Sequence, residues 1–167
     1  VGVAATKTYT CEIAVFYLLA YAMANRLGEG RVALAHAGEL LDKLLQGLNG
    51  SLERLAERLK DREHFYYIGR GMNFATAMEG ALKMKEISYI HAEGMPAGEL
   101  KHGTLALIEP GTPVVAICPN DETYADTMSN VMEARARGGF IIGVSDAPSD
   151  SYDHWIQIPV VSPLLYP

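Results

Sequence analysis

From residue 61 onward, short apolar runs are separated by longer helical patterns, and this alternation restricts the fold more than any other feature. "HFYYIG" (64–69), "TPVVAICP" (112–119), "FIIGVSD" (140–146) and "HWIQIP" (154–159) are rich in β-branched and aromatic residues. "YIHAE" (89–93) is a fifth run of the same kind. Between them, "NFATAMEGALKMKEISY" (73–89) and "NDETYADTMSNVMEARARGG" (120–139) read as helices, the second with Asn120 as cap and Gly138 as stop. Strands that are continuously apolar must be covered on both faces, and strands alternating with helices make βαβ units. The expected fold is α/β: three layers, doubly wound, around a five-stranded parallel sheet. Right-handed crossovers would carry the loops "GRGMN" (69–73) and "CPNDE" (118–122) to the carboxyl edge, where such sheets bind ligands.

The first sixty residues follow a different pattern. Residues 6–27 read as a helix capped by Thr6 or Thr10 and ended by Gly28, apolar on so many sides that it is expected to be buried against something large. Residues 31–60 read as one or two amphipathic helices with a break at Gly50–Ser51. Residues 1–60 are therefore expected to be a helical pair and connector, and 61–167 the α/β domain. The chain has no initiator Met and stops at "VVSPLLYP", where a new apolar element begins, so a segment of a longer protein is expected.

Composition narrows the partners. The 167 residues carry a formal net charge of -6 with no Lys/Arg-rich run, which argues against nucleic acid and against anionic membranes. The apolar stretch "IAVFYLLAYAMA" (13–24) is too short to span a bilayer and follows no basic segment. Cys11 and Cys118 belong to no CxxC pair and are expected to be buried free thiols in a reducing compartment. A cytoplasmic protein is the expectation.

Candidate chemistry concentrates in "EGALKMKEISYIHAEGMPAGELKHG" (79–103). Glu79, Lys83 and Glu86 are spaced i, i+4, i+7 and fall on one helix face. Such a stripe is either a solvated salt-bridge face or a pocket in which the lysine tunes a carboxylate for general-base work, such as moving a proton between adjacent carbons of a sugar. His91 and His102 are open to a structural or a proton-transfer role. "HAE" has the form of half a zinc deaminase site, but no PCxxC follows, so no metal is expected. The "GRG" turn offers backbone N–H groups to an anion or is simply a tight turn, and "VAATKTY" (3–9) caps its own helix or binds an anion.

The block "GRG…EGALKMKEISYIHAEGMPAGELKHGTLAL" (69–107) closely resembles the C-terminal sugar-isomerase (SIS) domain of the glucosamine-6-phosphate synthase family, also called glutamine–fructose-6-phosphate aminotransferases. "GVAATKTYT" (2–10) resembles the segment joining that family's two SIS domains, and "EARARGG" (133–139) also matches. The resemblance implies a flavodoxin-like SIS fold and an enzyme of amino-sugar synthesis, making glucosamine 6-phosphate from fructose 6-phosphate and glutamine-derived ammonia without metal or organic cofactor. It also implies roles. Glu86 matches the base that shuttles a proton between C1 and C2. His102 matches the histidine associated with opening the sugar ring, which in the family reaches the neighbouring subunit's site, so a homodimer is implied. Lys83 and Glu79 match positions lining the pocket, and Val3 one whose backbone touches the sugar.

The same resemblance assigns to other parts of such a protein a glutaminase domain, a first SIS domain whose Ser/Thr-rich loop holds the phosphate, and a C-terminal tail with a Schiff-base lysine. This segment alone is accordingly expected to be inactive. Thr104 stands where the family usually has proline, and Ala5 where it usually has serine. The "GRG" turn lacks the hydroxyls of a phosphate loop, so no phosphate is expected there. Two other readings compatible with a SIS fold are a sugar-phosphate-sensing domain of a regulator and a deglycase acting on sugar–amine adducts.

Overall fold

The computed structural model describes residues 4–167, which fall into two compact units divided after Ser51, 4–51 and 52–167. In the first unit, α1 (Thr6–Met23) is followed by a short turn in which Asn25 takes a positive φ of 56°, and α2 starts at Leu27. The turn ends α1 before Gly28, which lies inside α2. The α1 N-cap is Ala5, with no side-chain cap, and the Thr10 hydroxyl donates instead to the Thr6 carbonyl at 3.2 Å. The expectation of a buried helix and a buried Cys11 is not met within this chain. No residue of α1 is buried, Phe16 is 67% exposed, and Cys11 is exposed.

Helix α2 (Leu27–Leu59) runs unbroken through Gly50–Ser51. Gly50 itself costs only about 1 kcal/mol relative to alanine, less than the amphipathic pattern on either side can offset. Its last turns belong to the second unit, where Leu55 and Leu59 join the core.

The second unit is the expected doubly wound sheet. Strands β1 (His64–Gly69), β2 (His91–Pro96), β3 (Pro113–Ile117), β4 (Phe140–Ser145) and β5 (His154–Gln157) are all parallel, in the order β2-β1-β3-β4-β5. Alternate residues of each strand feed two cores. Tyr66, Ile68, Val114, Ala116 and Ile141 pack on one face with Val131 and Ala134 of α4 (Tyr124–Ala136). Phe65, Tyr67, Val115 and Ile142 pack on the other with Ala77 and Ala81 of α3 (Met72–Ser88). Burial on both faces is the reason the strands read as unbroken apolar runs.

Two boundaries differ from expectation. Strand β2 begins two residues later than "YIHAE" and runs through Gly94 to Pro96, held in register by His64↔His91 through Gly69↔Pro96. Helix α4 begins at Tyr124 rather than after Asn120, because Asp121 first closes a turn by accepting the Thr123 N–H at 2.7 Å.

Candidate active site

Helix α3 fixes the three charged residues of the central block. Its small residues Ala77 and Ala81 are buried against the sheet, which turns Glu79, Lys83 and Glu86 to the opposite flank. The Lys83 ammonium donates to Glu86 Oε2 at 2.7 Å and lies 3.2 Å from Glu79 Oε1. Their side chains are 17%, 24% and 21% exposed for Lys83, Glu86 and Glu79, so all three are largely withdrawn from solvent. The hydrogen bond to Glu86 raises the lysine pKa, desolvation opposes it, and Glu79 raises it further. Lys83 is therefore a fixed cation at neutral pH. Glu86 Oε1 has no hydrogen-bond partner among the described residues.

His102 ends a 3₁₀ turn, Ala97–His102, that follows β2. Its ring is exposed, and among the described residues it makes no hydrogen bond or ion pair, with the α3 triad or with anything else. The contacts thus unite Glu79, Lys83 and Glu86 but do not join His102 to them. Val3 lies outside the described residues. His91 faces His64 across the β1–β2 pair, Nδ1 to Nδ1 at 3.3 Å, at the amino end of the sheet. Among the described residues no three His, Cys, Asp or Glu side chains are grouped to hold a metal.

The switch point of the sheet lies between β1 and β3, and the protein's own side chains fill it. Asn73 donates to Asp121 Oδ2 at 2.8 Å, while Asp121 Oδ1 accepts the N–H and the hydroxyl of Thr123, each at 2.7 Å. Asp146 accepts the Asn120 N–H at 2.6 Å and the Tyr166 hydroxyl at 3.1 Å. Cys118 beneath them is buried, and desolvation pushes its thiol up to about 12. Asp121 and Asp146 stand at this edge, and the amides of Asn73 and Phe74, after the turn "GRG", are bonded back to Arg70 and Gly71.

One network was not signalled by the motifs. Arg70 donates to Asn130 Oδ1 (3.0 and 3.3 Å), Asn130 donates to Glu133 Oε2 (3.2 Å), and Lys101 donates to Glu133 Oε1 (3.0 Å). The available signal was Asn130 itself, a polar residue on the apolar stripe formed with Thr127, Val131 and Ala134, all buried.

Fold and site together define a doubly wound α/β domain whose proton-transfer candidates lie on a helix flank and not in the sheet's crevice. A family model described as SIS domain matches residues 58–162, and the chain belongs to that family. Over its whole length it is 47% identical to a "Glutamine--fructose-6-phosphate aminotransferase [isomerizing]" of Pyrococcus horikoshii and 48% identical to the protein of the same name from Thermococcus kodakarensis. It spans 29% of the length of each relative. A solved structure described as the C-terminal domain of glucosamine-fructose-6-phosphate aminotransferase from Francisella tularensis superimposes with a TM-score of 0.88 at 35% identity. That match covers 99% of this chain and 50% of the other. Among the described residues no helix is long and apolar enough to cross a membrane.

Proposed function

We propose that this chain is the C-terminal half of the isomerase module of an enzyme converting fructose 6-phosphate and glutamine-derived ammonia to glucosamine 6-phosphate. The observation that carries the reading is the partly buried Glu86 carboxylate, held through one oxygen by Lys83 and without a partner at the other among the described residues. Partly exposed ion pairs contribute little to stability, so stability alone does not explain withdrawing three charges from water. In the proposed mechanism Glu86 takes the proton from one of C1 and C2 of the open-chain sugar and returns it to the other through an enediol-type intermediate. Lys83 orients the base, and Glu79 holds the lysine from the far side.

His102 is assigned ring opening. Its exposed ring, unconnected to the triad in its own chain, suits a group delivered to the site of a second subunit, and a homodimer is proposed on that ground. Val3 is proposed to touch the sugar through its backbone. Residues 1–60 are read as the connector from a preceding SIS domain and 61–167 as the second. That preceding domain, a glutaminase domain and a tail lysine would complete the site, in a cytoplasmic enzyme. The regulator and deglycase alternatives are not favoured, since relatives matched over the whole chain bear the aminotransferase name.

The test is Glu86→Gln in the full-length enzyme. Glucosamine 6-phosphate formation should fall by about 10²–10⁴-fold, the usual contribution of a general base, while glutamine hydrolysis persists. Equal loss of both activities would remove Glu86 from the role.

A further inference from the structure

Among the described residues His102 has no side-chain partner, so the backbone of its turn sets where the ring can reach. That turn is gripped from three sides. Ala97 and Leu100 are fully buried in the core shared with α4. The Arg70 guanidinium lies so close to Gly98 that a Cβ there would sit 3.1 Å from its Nη2. Lys101, the residue before His102, is ion-paired to Glu133 at 3.0 Å. On the other side Gly103 takes a φ of +155°, a conformation few side chains tolerate.

Glu133 is the hub of this grip. Each of its oxygens accepts one hydrogen bond, from Lys101 and from Asn130, and the opposite end of the Asn130 amide accepts from Arg70. Asn130 is 1% exposed, and its amide oxygen and nitrogen are both paired in this chain of contacts. The chain links α4, the turn after β1 and the turn carrying His102. Asn130 is the buried anchor of the network, whereas Lys101 and Glu133 are 49% and 29% exposed, so the network specifies geometry more than it adds stability.

We propose that Glu133, acting through Lys101 and backed by Asn130 and Arg70, is a positioning residue for His102. The inference rests on reading His102 as the ring-opening group, and the test separates the two. A ketose phosphate lacking the 5-hydroxyl, such as 5-deoxyfructose 6-phosphate, cannot close to a furanose and needs no ring opening. In the full-length enzyme, His102→Ala should slow fructose 6-phosphate turnover but spare the 5-deoxy analogue. Glu133→Ala should reproduce that selectivity with a loss of about 10- to 100-fold, the scale for misplacing a reacting group by up to 1 Å. The double variant should lose no more than His102→Ala alone. The charge exchange Lys101→Glu with Glu133→Lys should restore a large part of the loss. If His102→Ala is selective while Glu133→Ala is silent or slows both sugars equally, the positioning role is overturned and the His102 reading stands. If His102→Ala slows both sugars equally or neither, both fall.

Discussion

The crevice at the sheet's switch point and the outer flank of α3 begin at the same place, the turn after β1, and differ in what their polar groups do. In the crevice Asp121 accepts three hydrogen bonds from Asn73 and Thr123, and Asp146 accepts two. These carboxylates are engaged within the protein. On α3, Glu86 keeps one oxygen free and Lys83 is shared by two acids. At a rise of 1.5 Å per residue, Glu86 stands about 20 Å along the helix from the turn. The carboxylates at the usual ligand position of this fold are thus bonded within the protein, and the groups proposed to react lie on a helix flank outside it. On the proposed reading, a substrate against α3 is held from another part of the molecule.

This contrast is most exposed to a measurement on the isolated 167-residue chain. It is expected to form no detectable glucosamine 6-phosphate from fructose 6-phosphate and ammonia, because the positioning and electrostatic groups opposite α3 would be missing. Turnover by the purified segment would show that α3 and its surroundings already make a complete site.

A smaller effect separates the two regions directly. In the full-length enzyme Lys83→Met should cost about 100-fold in turnover by releasing Glu86 from its orientation, with the melting temperature little changed. Asp121→Ala should do the reverse. It leaves the buried Asn73 amide unpaired, which should lower stability by about 1–3 kcal/mol in denaturant titrations while turnover of the folded enzyme is kept. A loss of turnover with Asp121→Ala and not with Lys83→Met would return the chemistry to the crevice.

Much of this was legible before the structure, for reasons that also explain the rest. Strands β1, β3 and β4 are covered on both faces, so their apolar runs had no other use. The second half of β2 is less telling, because Gly94 and Pro96 are turn residues by habit and only pairing with β1 makes them strand. The Glu79–Lys83–Glu86 flank was visible from spacing, since its contacts are three and four residues apart. The Arg70–Asn130–Glu133–Lys101 chain joins residues up to 60 positions apart, and no local period announces such a link. The apolar character of α1 was legible but its partner was not, for among the described residues none of α1 is buried.

The finest separation is by pH, because the two regions carry shifts of opposite sign. Glu133, on the network that flanks the crevice, is held below its ordinary 4.5, first by the hydrogen bond from Lys101 and then by that from Asn130, with desolvation opposing them. A depressed carboxylate contributes stability that is fully present above 4.5 and is lost as pH falls through its lower folded value. Lys83, on α3, is held above its ordinary 10.5, and its contribution is fully present below 10.5 and lost as pH rises through its higher folded value. Melting temperature against pH should therefore show Glu133→Gln flattening only the acid limb, below 4.5, and Lys83→Met flattening only the alkaline limb, above 10.5. Both effects should be small, since solvent screens each pair. An acid limb that responds to Lys83→Met instead would mean that the α3 carboxylates, and not the network around His102, carry the acid sensitivity. The division between a fully engaged crevice and a partly engaged helix flank would then need to be redrawn.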